Sequence, residues 1–138
     1  MILIIDTTDK ICEAAIASGH NIDSVKWLWD KDTGTEVLKN IQMLLKKHQK
    51  ELTDLKAILV NQGSGSFTGV RAGITVANTL AWALNIPVLG YREGMLDGAL
   101  TKARQIRRSK FLKIALPYYP SGLGPPWLGE TGPAETDP

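Results

Sequence analysis

The sequence predicts an α/β fold, a mixed sheet with helices in the order β-β-β-α-β-α-β followed by an irregular Pro/Gly-rich tail. Three observations predict it. Short β-branched runs recur between Gly, Asn and Asp turns, two longer segments carry apolar residues at helical spacing, and six of the seven prolines fall between Pro117 and Pro138. At 138 residues, 43% hydrophobic and 22% charged, the chain has enough material for one domain with a proper core.

Residues 2–5 form a continuous apolar run closed by Asp6-Thr7-Thr8-Asp9, which reads as a buried strand followed by a turn. Residues 12–18 are a second strand, and Gly19-His20-Asn21 is a tight connection. Across 22–29, Val25, Trp27 and Trp29 alternate with Ser24, Lys26 and Leu28, the pattern of a half-buried third strand. Three strands joined by short polar turns suggest an antiparallel meander. Thr33-Gly34-Thr35-Glu36 matches a capping box, in which the Thr33 hydroxyl and the Glu36 carboxylate each satisfy a backbone donor. The helix it predicts runs over 35–49 and carries Val37, Leu38, Ile41, Leu44 and Leu45 as its stripe. His48 ends the stripe as a C-terminal residue favoured by the helix dipole rather than as a ligand.

Residues 55–61 are the fourth strand and 69–84 the second long helix, which Asn85-Ile86-Pro87 stops. Residues 87–89 are a short fifth strand. Beyond Tyr91, a helix is expected over 95–106 and a strand over 111–116. Between 101 and 113 lie six basic residues and no acid. The expected organisation is a lobe over 1–93, a basic helix and strand over 94–116, and a tail without regular structure over 117–138.

Several classes are disfavoured at once. The longest apolar runs fall far short of the roughly 20 residues of a membrane helix. The opening MILIIDTT has no signal-peptide pattern, so a cytoplasmic protein without a membrane partner is expected. The lone Cys12 reads as a small buried hydrophobe. The net charge of +2 decides little.

Between the fourth strand and the second helix, Gly63–Gly69 packs three glycines, two serines and a threonine into one turn. A strand, a glycine-rich loop and a helix N-terminus together make an anion site. Yet five residues separate Gly63 from Gly69 and Val70-Arg71 follows, so the Walker pattern fails. Thr68 stands where the dinucleotide fingerprint needs its third glycine. The simpler reading is a tight strand-to-helix turn, capped by Ser66 or Thr68, with Phe67 plugging the core.

The stretch GSGSFTGVRAGITVANTLAWALNIPVLG resembles the glycine-rich signature of the TsaB (YeaZ) family, carried here by Gly63, Gly65, Ser66, Phe67, Thr68, Gly69 and Arg71. MILIIDTTDKICEAAIA, ELTDLKAILV and IPVLG are similar to the segments around that signature, so the resemblance covers residues 1 to about 93. It implies an actin-like, Hsp70-like lobe of ribonuclease-H topology. It also implies a non-catalytic scaffold subunit that supports a TsaD-like catalytic partner in threonylcarbamoylation of adenosine 37 of tRNA. A TsaE-like ATPase joins that assembly, a homodimer is a further expectation, and tRNA is met indirectly. No catalytic residue, metal or cofactor is expected.

Ser64 stands where the family usually has proline and Asn61 where it usually has glycine, which implies a more mobile turn. Family members usually have two lobes. The closing LPYYPSGLGPPWLGE is similar to their C-terminal segment, which implies an internally deleted second lobe; a truncated gene with a random tail is the other reading. In actin-like proteins nucleotide sits between two lobes, so one lobe implies poor ATP binding. Asp6, Thr7 and Thr8 fall at the superfamily's phosphate-facing turn, although turn capping explains them as well.

For the scaffold role, Val37, Ile41, Val70, Ile74 and Trp82 are the expected partner-binding residues, as an apolar patch beyond what one sheet face needs. Two alternatives stand beside it, a ribonuclease-H-like or nucleotide-binding enzyme and a degenerate lobe without activity. A ribonuclease-H-like or nucleotide-binding enzyme would use Asp6, but a two-metal site needs several convergent carboxylates and only Glu13 joins it in a central strand. A protease is disfavoured because His20 and His48 are the only two histidines and no HExxH motif occurs. Arg104, Arg107 and Arg108 are candidate RNA contacts in the basic segment.

Overall fold

The structure, a computed structural model, describes residues 1–30, 32–65, 67–105 and 115. Its strands are β1 (Ile2–Asp6), β2 (Ile11–Ser18), β3 (Asn21–Leu28), β4 (Ala57–Asn61) and β5 (Val88–Tyr91). Its helices are α1 (Thr33–Lys47), α2 (Phe67–Leu84) and α3 (Leu96–Gln105), with a 3₁₀ turn at Leu52–Asp54. The strands form one sheet in the order β3-β2-β1-β4-β5. β1 to β3 are the expected antiparallel meander, while β4 and β5 add in parallel on the other side of β1.

β1 and β4 are the central pair, which is why ILII and AILV are continuous apolar runs: both faces of these strands are buried. On one face Leu3, Ile5, Ile16, Ile58 and Val60 meet α1 and α2. On the other, Ile4, Leu59, Leu89 and Tyr91 meet Leu100 and Ala103 of α3. Each such aliphatic side chain stabilises the fold by roughly 1.5–3 kcal/mol through burial. Val25 and Trp27 of β3 turn toward the α1 side, as their alternation predicts, and are half-buried there.

Two expectations need correcting. α1 begins one turn position earlier than a Thr33 cap requires: Asp32 is the N-cap, and no side-chain cap hydrogen bond forms. A reciprocal box appears elsewhere, at the 3₁₀ turn, where the Glu51 N–H donates to Asp54 Oδ2 at 2.8 Å. Second, Val37, Ile41, Val70 and Ile74 do not form an exposed patch. They are 0, 1, 2 and 5% exposed and lie in the core, because α1 and α2 use those residues both on the sheet and against each other.

Both long helices end on left-handed residues, Gln49 at φ 55° and Asn85 at φ 54°. The chain then closes back with Lys50 N–H donating to the Leu45 carbonyl and Ile86 N–H to that of Ala81. Cys12 is fully buried in β2 as expected, and burial, helped by the charges of Asp6 and Asp9, pushes its thiol up to about 11. Beyond α3, Asn78 grips the backbone of buried Ala115, donating to its carbonyl at 3.0 Å and accepting its N–H at 2.9 Å. The strand expected over 111–116, apart from residue 115, and the tail over 117–138 lie outside the described residues. Among the described residues no helix is long and apolar enough to cross a membrane.

Candidate functional site

Polar groups collect where β1 and β4 end and α2 begins, the place at which parallel strands deliver their chain ends to ligands. Asp6 closes β1. Its Oδ1 accepts the Thr8 N–H at 3.0 Å and the Thr8 hydroxyl at 2.7 Å, and its Oδ2 accepts the Asn61 amide at 3.2 Å. The Asn61 Oδ1 in turn accepts the Gly63 N–H at 3.0 Å. Thr7, 1% exposed, donates its hydroxyl to the Gly69 carbonyl at 2.5 Å. Asn61, expected to loosen the turn, instead laces it to β1, because its amide supplies a donor and an acceptor at once.

The glycines of this turn are explained by close approach. Gly63 sits at φ 101°, a region that side chains rarely enter. A Cβ at Gly65 would strike the Thr8 carbonyl, and one at Gly73, a turn into α2, would strike the Thr7 hydroxyl. One at Gly90 of β5 would strike the Gln62 side chain. Thr68 is exposed on the first turn of α2, Gly69 is buried and Arg71 half-buried; Ser66 and the Phe67 side chain lie outside the described residues. The sequence reading missed Gly73, although a glycine inside a helix, at about 1 kcal/mol against alanine, already signals close packing.

Glu13 lies directly across the β1–β2 ladder from Asp6, on the same sheet face. It pairs with Lys26 at 3.5 Å. Tyr91, 7% exposed beyond them, has its phenol held well above the ordinary range, first by burial and then by the charges of Asp6 and Glu13. The two carboxylates are therefore the nearest approach to a catalytic pair, but β4 adds an amide, Asn61, rather than a third acid. Among the described residues no group of three His, Cys, Asp or Glu could hold a metal ion. His20 lies in the β2–β3 turn and His48 caps α1 against Asp23, both toward the opposite end of β1, so neither serves Thr7 or Thr8 as a base.

Of the remaining candidates, Trp82 is 76% exposed on α2, with Leu38 and Met43 exposed on α1. Arg104, on the last turn of α3, donates from Nη2 to the Gly19 carbonyl at 3.1 Å. Arg107 and Arg108 lie outside the described residues.

A meander joined to parallel β4 and β5, with α1 and α2 on one face and a glycine turn at the strand ends, defines an actin-like lobe of ribonuclease-H topology. One similar solved structure is YeaZ from Pseudomonas aeruginosa, at TM-score 0.64 and 29% identity over 75% of this chain and 48% of that one. The family model described as TsaD: tRNA N6-adenosine threonylcarbamoyltransferase matches residues 31–95. The Escherichia coli tRNA threonylcarbamoyladenosine biosynthesis protein TsaB is 34% identical over 89 residues, covering 64% of this chain and 38% of that protein. The Bacillus subtilis protein of the same name is 35% identical over 89 residues, 63% of this chain and 38% of its own. Over these residues the chain is similar to TsaB proteins, and the matched stretch spans less than half the length of those relatives.

Proposed function

We propose that the chain is a non-catalytic subunit in the biosynthesis of tRNA threonylcarbamoyladenosine, supporting a TsaD-like catalytic partner. The observation that carries this reading is the state of Asp6. Both of its oxygens accept hydrogen bonds, from Thr8 of its own turn and from Asn61 at the end of β4, so this carboxylate holds the signature loop in shape. Thr7 likewise gives its hydroxyl to a backbone carbonyl rather than to a base. Charged and nucleophilic groups so committed favour a structural role over an acid–base or nucleophilic one.

The names of the Escherichia coli and Bacillus subtilis relatives support the pathway, and the match of residues 31–95 to the TsaD model supports pairing between two related lobes. The surface we assign to pairing is the outer side of α1 and α2, with Leu38, Met43 and Trp82 exposed on it. A TsaE-like ATPase would join through the same assembly, and tRNA would be met through the partner. Light scattering coupled to size exclusion, on the chain alone and mixed with TsaD from the same source, tests the reading. A one-to-one complex is expected. A lone monomer in both runs would overturn it.

One observation favours the enzymatic alternative, the juxtaposition of Asp6 and Glu13 on neighbouring strands. Magnesium-dependent cleavage of an RNA–DNA hybrid, abolished by Asp6→Asn, would establish that alternative and displace the scaffold role.

A further inference from the structure

At the end of the sheet opposite the glycine turn lies a cavity of about 410 Å³ that the role above does not use. It is walled by the start of β1, the β2–β3 turn, the residue leading into β4 and the last turns of α3. Ile2, Ala17 and Ala103 give it an apolar floor, and His20, Lys56 and Arg104 stand around it. No acidic side chain is among its described lining residues. Arg104 is aimed by its bond to the Gly19 carbonyl, and Lys56 is anchored through its own N–H, which donates to the Met1 carbonyl at 2.9 Å. Among the described residues neither cation forms a salt bridge.

Lys56 and Arg104, both exposed, stand at the rim of one concavity, where an anion seated between them meets two positive charges. The C-terminal end of α3 contributes only about half a negative charge, which two full positive charges outweigh. The guanidinium fork suits the paired oxygens of a phosphate, with the ammonium as a point charge beside it. The volume decides what the anion is attached to: it falls within the roughly 300–1,000 Å³ of small-molecule sites, far more than a bare phosphate fills, and its floor is apolar. We propose that this cavity binds a small organic phosphate, Lys56 and Arg104 holding the phosphate oxygens and Ile2, Ala17 and Ala103 receiving the organic body.

The test is an amide-resolved NMR titration of the full chain with phenyl phosphate and AMP, two bodies of different size, alongside inorganic phosphate and phenol. Saturable shifts at Gly19, His20, Ala103 and Arg104 are expected with at least one ester, with weaker binding of either fragment alone. Lys56→Gln should reduce the affinity about tenfold, and the double variant with Arg104→Gln further, with unchanged thermal melting of the single variant showing that the fold is intact. Absence of saturable shifts with both esters up to about 10 mM, shifts confined to residues 63–69, or affinity indifferent to Lys56→Gln would overturn the proposal. So would Lys56-dependent binding of a single-stranded RNA by a chain that ignores both esters.

Discussion

Thr7 and Gly69, 62 residues apart in sequence, are joined by a buried hydrogen bond in which the Thr7 hydroxyl donates to the Gly69 carbonyl at 2.5 Å. It fastens the first turn of α2 to the end of β1, so that the glycine loop between β4 and α2 is held at both ends. Thr7→Val keeps the shape of the side chain and removes the donor. The expected loss is about 1 kcal/mol in urea unfolding, with Thr7→Ser restoring most of it. A Thr7→Val chain as stable as the parent would show that the bond does not order the turn.

Gly73 and Gly98 both lie inside helices, and alanine should act on them with opposite sign. At Gly98 on α3 a Cβ meets open space, so the better helix propensity should stabilise by about 0.5–1 kcal/mol. At Gly73 the same methyl collides with the Thr7 hydroxyl and presses on Ile5, and overpacking of about 1–3 kcal/mol exceeds the propensity gain. Thermal melts of the two variants should move in opposite directions.

Ile41 and Trp82 separate core from surface. Ile41, 1% exposed, should cost about 2–5 kcal/mol on truncation to alanine. Trp82, 76% exposed, should change stability by less than about 0.5 kcal/mol. If α2 presents its outer side to a TsaD-like partner, Trp82→Ala should nevertheless weaken co-elution with that partner; intact co-elution would move the contact elsewhere.

Asp23 of β3 accepts Lys47 Nζ at 2.8 Å and contacts His48 Nε2 at 2.8 Å, clipping the end of α1 to the edge of the sheet. The hydrogen bonds from Lys47 and then His48 lower its carboxyl from 3.8 to about 2. A depressed folded value means that the contribution is fully present above 3.8 and is lost as pH falls through about 2. Urea midpoints of the parent and of Asp23→Asn should therefore differ at pH 5 and converge near pH 2. Because the pair is open to solvent, 1 M salt should also shrink the difference.

Much of the fold was legible in the residues. The alternation of Val25 and Trp27, the buried runs of β1 and β4, and the stop at Asn85-Ile86-Pro87 each express a local rule of backbone geometry, and each element lies within two residues of its expected place at most ends. The start of α1 was misread because a capping box is only a spacing: the same reciprocal arrangement forms at Glu51 and Asp54 instead. The partner patch was misread for a deeper reason. Val37, Ile41, Val70 and Ile74 have the same periodicity whether a helix stripe faces a sheet, a second helix or a partner, and here the first two of these take them all.

The sequence by itself determined which segments are strands and helices, that a glycine-rich turn joins β4 to α2, and that Cys12 is a core residue, because period, turn chemistry and backbone freedom are properties of a few neighbouring residues. Only the tertiary structure decided that Asp6 faces Glu13, that Thr7 reaches Gly69, that Trp82 alone among the five expected partner-binding residues stays in solvent, and that Lys56 and Arg104 share a cavity. Those relationships depend on the order of strands in the sheet and on which surfaces compete to cover each face, and no local window of the chain contains that information.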